Sequence, residues 1–432
     1  MAVFPTKPSS PILRPVDGLP SPADLARELR HLPGFVFLDT SSAEVNPESG
    51  PHERFSLITA KPSRILRGNL FDKADFEVLK EAFEFRRHSA GLTPDLGFPT
   101  DGLYGCISYE GDFLLGEYHE CLLFDHSSQT WHEQGSLSTL RDNSSLPSSD
   151  CPAVFRHEME REAFCQKVTR TQEYIAAGDI YQVNLSHRLI ADVAADFEPF
   201  LLHERLREQS PAPYSAYLDL CDRQIISSSP EQFLSMSGRT IQTRPIKGTR
   251  PRFRDRREDE KSAYDLITSP KELAELIMIT DLERNDLGQI CEFGSVEATE
   301  LLKLERFAQV FHLVSTVKGT LRPGIDPVTA LRACFPGGSI TGAPKKRARE
   351  IIEELEPVER GPYTGAIGCF GFNGESRFNI AIRTAICEAG SLHFHVGAGI
   401  VADSDPEQEW EETLHKAAGI LQACEKATDS SF

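Results

Sequence analysis

Apolar and polar positions change their pattern about a third of the way along this 432-residue chain. From Ala23 to about Leu140, short apolar runs alternate with turns: "GFVFLD", "RFSLIT", "GLYGCISY" and "CLLFD". Apolar runs of this length, bounded by turn-forming residues, predict β-strands. Two stretches in the same region, near Ala23–Leu32 and Phe76–Arg87, predict helices. Residues 1–22 are rich in Pro and Ser and predict a loose tail or an extended edge. Residues 141–152, "RDNSSLPSSDCP", are polar and turn-forming throughout and predict a linker. The chain thus divides into a β-rich region, 1–150, and a second region, 151–432.

Beyond the linker the periodicity sharpens. Arg156 to Ala177 predicts a helix with Phe164, Val168 and Ile175 on one face and Gly178 as its stop. "DIYQVNLSHRLI" alternates as a strand does, and a helix follows near Phe197–Glu208. Strands are predicted at "SAYLDL", "QIISSS", "FLSMSG", "TIQTRPIKG", "HLVSTVKGTL", "AIGCFGF", "FNIAIRTAIC" and "SLHFHVGAGIV". Helices are predicted at Lys271–Ile279, at Pro344–Leu355 with proline in the first turn, and from about Pro406 to Lys426. Runs of strands with interspersed helices indicate an α+β fold rather than a strict βαβ repeat.

Composition narrows the function. The chain is 40% hydrophobic and 26% charged, with a net charge of −19. That balance excludes wholesale binding of nucleic acid or anionic membrane, so an anionic ligand must be met by a local group of Arg and Lys. Ten cysteines are scattered with no Cys-x-x-Cys pair, as expected of free thiols in a reduced compartment. No apolar run approaches the ~18 residues of a membrane span. The proline-broken N-terminus lacks an apolar signal core. A cytoplasmic protein is the expectation.

Two nucleotide-binding look-alikes are set aside. "GAGIVA" (Gly397–Ala402) matches a dinucleotide fingerprint, but too little chain follows for the further βα units that fingerprint needs. "GGSITGAPKK" has Ala343 where a phosphate loop starting at Gly337 needs lysine. Its glycines and hydroxyls before a helix start still form an anion cradle, or a plain turn.

Two helices carry Glu-x-x-Glu: Glu272 with Glu275, and Glu409 with Glu412. A spacing of three puts both carboxylates on one helix face, where like charges repel. Magnesium, which takes a few carboxylates plus waters and an anionic ligand, would account for such pairs; so would a solvated helix face. "TRPIKGTR" places Lys247 in a run with seven Lys/Arg between Arg244 and Arg257. That lysine is either one more charge in a basic loop or a nucleophile held by its neighbours.

From Phe164 onward the residues resemble the chorismate-utilising enzymes. The matching segments are "GDIYQVNLS", "SSSPEQF", "RPIKGTR", "MITDLERNDLGQI", "HLVSTVKGTL", "PGGSITGAPKKRAREII", "YTGAIG", "NIAIRT" and "GAGIVADSDPEQEWEETLHKA", in the family's order. The family includes component I of anthranilate synthase and of aminodeoxychorismate synthase, and the isochorismate and salicylate synthases. The resemblance implies antiparallel β-sheets packed as a sandwich with helices outside, and a catalytic chorismate-binding domain over residues 151–432. Residues 1–150 match more loosely. There "FLDTSS" (37–42) departs from the Leu-Leu-Glu-Ser motif of the tryptophan pocket in anthranilate synthases.

Lysine at 247, where anthranilate and isochorismate synthases usually carry alanine, resembles the aminodeoxychorismate synthases. Gln182 stands where the water-using members carry a lysine base, so the resemblance implies ammonia as the nucleophile. It implies that Lys247 adds to the ring of chorismate while Glu231 protonates the departing hydroxyl. It further implies that Arg383, Lys416, Gly399, His312, Thr249 and Gly248 bind the substrate. Magnesium would be held by Glu275 and Glu412, with Glu272 and Glu409 acting nearby. No Gly-x-Cys-x-Gly nucleophile elbow surrounds any cysteine, so ammonia is expected from a separate glutaminase subunit, and the product is expected to feed p-aminobenzoate and folate. The rival expectations are an anthranilate synthase component I and a non-catalytic binding subunit.

Overall fold

The computed structural model of the protein describes residues 13–41, 54–87, 97–142, 152–307 and 309–425. Two large antiparallel sheets dominate it. Among the described residues the first has 12 strands. Its order begins Arg14–Val16, Thr130–Gln134, Cys121–Asp125, Phe55–Thr59, Val36–Asp39 and continues through Tyr214–Leu220, Arg223–Ser229, Thr384–Glu388, Ser391–Ile400 and Gln182–Asp192. The second has 10 strands among the described residues, from Ile246–Pro251 at one edge through Val310–Thr320, Thr240–Arg244, Gln232–Ser237, Glu375–Ile380, Ala366–Gly371, Gly102–Ile107 and Asp112–Tyr118 to Arg64–Asn69 at the other.

Both sheets cross residue 150. Val36–Asp39 pairs with Tyr214–Leu220 in the first, and Gly102–Ile107 with Ala366–Gly371 in the second. The division by chain order therefore separates no sheet, and residues 143–151 of the expected linker lie outside the described residues.

The inner faces meet in one core: Val36, Leu57 and Leu218 of the first sheet pack with Tyr104, Ile367 and Cys369 of the second. The outer face of the first sheet is covered by helices Pro22–Leu29, Pro199–Gln209 and Pro406–Ala423, through Leu25, Phe200 and Ile420 against Phe37, Tyr217 and Phe394. The second is covered in part by helix Lys73–Arg87 through Phe76, Leu79 and Phe83. Strands buried on both faces read as continuous apolar runs, which is why "GFVFLD" does not alternate. The expected α+β sandwich with outer helices is the observed architecture.

Several boundaries moved. The helix expected from Arg156 begins at Arg161, because Arg156–His157 is a short strand on Gln182–Asp192. The helix expected over Lys271–Ile279 runs from Pro270 to Gly288, started by Ser269, whose hydroxyl accepts from the Glu272 amide. Helix Arg256–Ile267 was not legible: only Ser262, Ala263 and Leu266 of it are buried, too few for a periodic signal, and its start depends on the Asp255 cap. "TIQTRPIKG" splits at Pro245 into two strands that both pair with Val310–Thr320.

"FNIAIRTAIC" also splits, and this split places the site. Glu375–Ile380 lies in the second sheet and Thr384–Glu388 in the first. The chain crosses between sheets at Ala381–Arg383, and Arg383 takes a left-handed φ of 49°. A second crossing runs alongside. Arg223–Ser229 is in the first sheet and Gln232–Ser237 in the second, with Pro230 and Glu231 at the corner. The two corners are laced together: Ile380 N donates to Glu231 O at 3.0 Å, Ser229 Oγ to Ile380 O at 2.6 Å, and Ser228 N to Arg383 O at 3.0 Å. Strands that switch sheets make rigid corners.

Candidate active site

The two corners form one wall of a cavity of about 680 Å³. Ile246–Pro251, at the edge of the second sheet, forms another. Strand Ser391–Ile400 is the floor, and helices Pro270–Gly288 and Pro406–Ala423 close the remaining side. Lys247, Glu231, Arg383, Lys416, Gly399, His312, Thr249, Gly248, Glu272, Glu275 and Glu412 all line this space. Glu409, expected to act near the metal, does not; it is buried behind the wall, accepting from Ser404 Oγ at 2.7 Å, with Lys271 Nζ 3.8 Å away.

Lys247 is thus not a loop residue. Its strand pairs with Val310–Thr320, and the register slips between Lys247 and Thr249, which lie opposite the consecutive residues Leu313 and His312. Gly248 is the extra residue of this bulge, with φ at 71°. A bulge re-aims the side chains beside it, and left-handed φ favours glycine there. A Cβ on Gly248 would also meet Leu266 Cδ1 at 2.7 Å. Lys247 Nζ lies 4.0 Å from Glu275 Oε2. A Cβ placed on Gly399 would be 3.7 Å from Nζ and 2.5 Å from Gln182 Nε2. Glycine on the floor therefore leaves open the space in front of the amine.

Glu231 is buried, and burial pushes its carboxyl up, against the opposing pull of the Ser339 hydroxyl, the Lys247 charge, the Ile246 amide and Lys416. A carboxyl so placed holds a proton where a solvated one would lose it. Arg383 is pulled down by burial alone, and among the described residues no carboxylate is paired with its guanidinium. A half-buried cation without a counterion is costly, and the cost is relieved by an anionic ligand in the cavity. His312 is pushed down to about 3 by burial and by the nearby Arg383 charge, so its ring is neutral. Its Nδ1 lies 3.0 Å from Thr249 Oγ1 and 3.4 Å from the Gly248 carbonyl.

The helix side is ionic and open. Lys416 Nζ is 2.8 Å from Glu412 Oε1 and donates to the Gly397 carbonyl at 2.9 Å. Arg250 is 3.6 Å from Glu272. Burial pushes Glu275 up, with the charges of Glu272 and Glu412 adding to it and Lys247 and Lys271 opposing. Burial also acts on Glu412, but Lys416, Lys247 and Lys271 hold it below its ordinary value. The two Glu-x-x-Glu pairs therefore meet across one space, which spacing along the chain alone did not show. Among the described residues no three acidic, His or Cys side chains converge tightly enough to enclose an ion by themselves.

Ser339, Lys271 and Glu283 are among the residues of this region that carried no functional reading in the sequence. Lys271 was legible in principle as a cation in the first turn beside Glu272. The other two depend on contacts between distant segments. What "GGSITGAPKK" meets is a side chain of the protein itself: the Gly338 amide donates to the Glu283 carboxyl at 3.0 Å.

The chorismate binding enzyme family model matches residues 60–422. The chain belongs to that family. This membership makes it an enzyme acting on chorismate. Aminodeoxychorismate synthase component 1 of Bacillus subtilis is 41% identical over 341 residues, covering 74% of this chain and 72% of that protein. Anthranilate synthase component 1 of Thermus thermophilus is 46% identical over 275 residues, covering 64% of this chain and 59% of that protein. The crystal structure of anthranilate synthase component I from Streptococcus pneumoniae matches with a TM-score of 0.73 at 30% identity, covering 85% of this chain and 92% of that one. Among the described residues of this family member, no helix is long and apolar enough to cross a membrane.

Proposed function

We propose that this chain is component I of an aminodeoxychorismate synthase, converting chorismate and ammonia to 4-amino-4-deoxychorismate and water. The observation that carries this reading is an amine and a buried carboxyl in one cavity: Lys247 on the bulged edge strand and Glu231 on the corner. Chorismate's ring hydroxyl is a poor leaving group and departs only with a proton. Lys247 Nζ, as the free amine, forms a bond to ring carbon 2 while both ring double bonds shift one position along the ring and the bond from carbon 4 to oxygen breaks. Glu231 gives its proton to that oxygen, which leaves as water. Ammonia then bonds to carbon 4, both double bonds shift back, and Lys247 leaves as the amine. The excess proton from ammonia returns to Glu231.

The other residues fit an anionic substrate. Arg383 offers a planar fork to one carboxylate and Lys416 a point charge to the other. The backbone of Gly399 and the Gly248–Thr249 bulge with neutral His312 complete the surface against the ring. The donor set on the helix side suits magnesium, which takes one or two carboxylates, waters and a ligand oxygen rather than an all-protein cage. Glu275 and Glu412 would hold it, with Glu272 and Glu409 nearby. When bound, it supplies positive charge for a substrate carboxylate. Ammonia would come from a partner glutaminase: the nine cysteines among the described residues are free, seven of them buried, and none sits in a nucleophile elbow.

The identity to the Thermus protein favours a second reading, anthranilate synthase component I. Product analysis with chorismate, magnesium and ammonium separates the two. Aminodeoxychorismate keeps the enolpyruvyl ether, whereas anthranilate fluoresces and is accompanied by pyruvate. Release of pyruvate would overturn the reading proposed here, and turnover of glutamine by the chain alone would overturn the need for a partner.

A further inference from the structure

One buried carboxylate beside the cavity has no part in the chemistry above. Glu283 lies on helix Pro270–Gly288, about two turns beyond Glu275, and is 2% exposed. It does not line the cavity. Its Oε1 accepts from the Gly338 amide at 3.0 Å and its Oε2 from the Thr243 hydroxyl at 3.4 Å. Gly338 opens the short 3-10 turn Gly338–Ile340, and the next residue, Ser339, faces Glu231 with its hydroxyl and lines the cavity. Thr243 belongs to Thr240–Arg244, the strand paired with Gln232–Ser237, which starts one residue after Glu231. Glu283 thus ties together the two segments that flank the proposed acid.

We propose that Glu283 is a positioning residue for Glu231: through Gly338 it fixes the Ser339 hydroxyl against the acid, and its charge opposes the ionisation of the acid. This rests on the reading of Glu231 as the proton donor. The surroundings support it. Glu283 is pushed up to about 7 by burial first and by Asp286 on the same helix, with Lys345 opposing and Glu231 adding to the push. Lys345, from helix Lys345–Leu355, is ion-paired to Asp286, so its charge is largely matched there. Glu231 is faced in turn by Lys247, Lys416, the Ser339 hydroxyl and the Ile246 amide. Two carboxyls sharing one buried region resist double ionisation. Whichever of the two ionises first opposes the other, so a charge on Glu283 resists loss of the proton that the acid must deliver.

The test is the pH dependence of kcat/KM for chorismate, with magnesium and saturating ammonium. Glu283→Gln keeps an acceptor for Gly338 and removes the charge. Its alkaline limb should move to lower pH by about one unit, a tenfold change in the ionisation ratio of the acid. KM for chorismate should stay within about threefold, because Glu283 does not touch the cavity. Ser339→Ala removes a hydroxyl that favours the charged acid, so it should move the same limb the other way, to higher pH. That opposite shift keeps the proposal testable if Glu283→Gln fails to fold. Limbs unmoved in both variants, or a pH-independent loss of rate, overturn the proposal. Glu231→Gln is the control. If it retains the alkaline limb of the unmodified enzyme, the reading of Glu231 falls and this proposal with it. If that limb is lost there but unmoved in Glu283→Gln, only the role of Glu283 falls.

Discussion

The two ends of the cavity use the same residue types under opposite conditions. At the helix end, Glu272, Glu275 and Glu412 face Lys247, Lys271, Lys416 and Arg250, and Glu412 and Lys416 are each nearly half exposed, at 47% and 44%. At the corner end, Glu231 and Arg383 are enclosed, one pushed up and the other pulled down by loss of water. The Glu412–Lys416 pair of the helix end exchanges partners at small cost, as exposed ion pairs do, while Glu275 deeper in is pushed up by burial. The corner end is held out of its preferred state, and only the rigid lacing of two sheet crossings keeps it there. Charge that must bind is placed on helices, and charge that must be kept abnormal is placed where strands change sheets.

This contrast breaks most visibly at the residue between the two ends. Lys247→Ala should lower formation of aminodeoxychorismate by ~10³-fold or more, measured by product analysis with ammonium, while magnesium still promotes chorismate binding. Glu231→Gln should cost ~10²–10⁴-fold in kcat, the range for loss of a general acid, and the loss should not be recovered at any pH.

Arg383→Gln should raise KM for chorismate ~10–100-fold, from the loss of charged hydrogen bonds worth ~1.5–3 kcal/mol. The same variant should melt at a higher temperature than the unmodified protein without substrate, since it removes a half-buried cation that has no counterion among the described residues. A lower melting temperature would show that the corner is not strained in the way described.

The smallest effect belongs to pH and stability. Glu283 is pushed up to about 7 from an ordinary value near 4.5. The folded chain therefore binds more protons than the unfolded chain between those values. Its contribution to stability is complete below the unfolded value and is lost as pH rises toward about 7. Melting temperature should decline across that window, and Glu283→Gln should flatten the decline.

The same contrast explains what was legible in the sequence. The helix end was readable because Glu-x-x-Glu states a helical face by spacing alone, although only the fold could bring the two faces together. Lys247 stood out by its neighbours and by resemblance, but not the bulge at Gly248 that aims it, since a register slip depends on the partner strand Val310–Thr320. The corner end was hidden. "FNIAIRTAIC" keeps a strand-like apolar pattern straight through the crossing, so nothing local marks Arg383 as a corner residue. Glu283 was unreadable for a related reason: its partners Gly338 and Thr243 lie 55 and 40 residues away along the chain. The helix Arg256–Ile267, which packs against the Lys247 strand, was lost in a run of charged residues whose only clear signal is the Asp255 cap.

The most direct test of the account is acid quenching of the enzyme with chorismate and magnesium in the absence of ammonium, followed by peptide mass spectrometry. The account predicts an adduct of chorismate less one water on the peptide carrying Lys247, lost when ammonium is added. Aminodeoxychorismate formed at full rate by Lys247→Ala, or an adduct found on another residue, would contradict it.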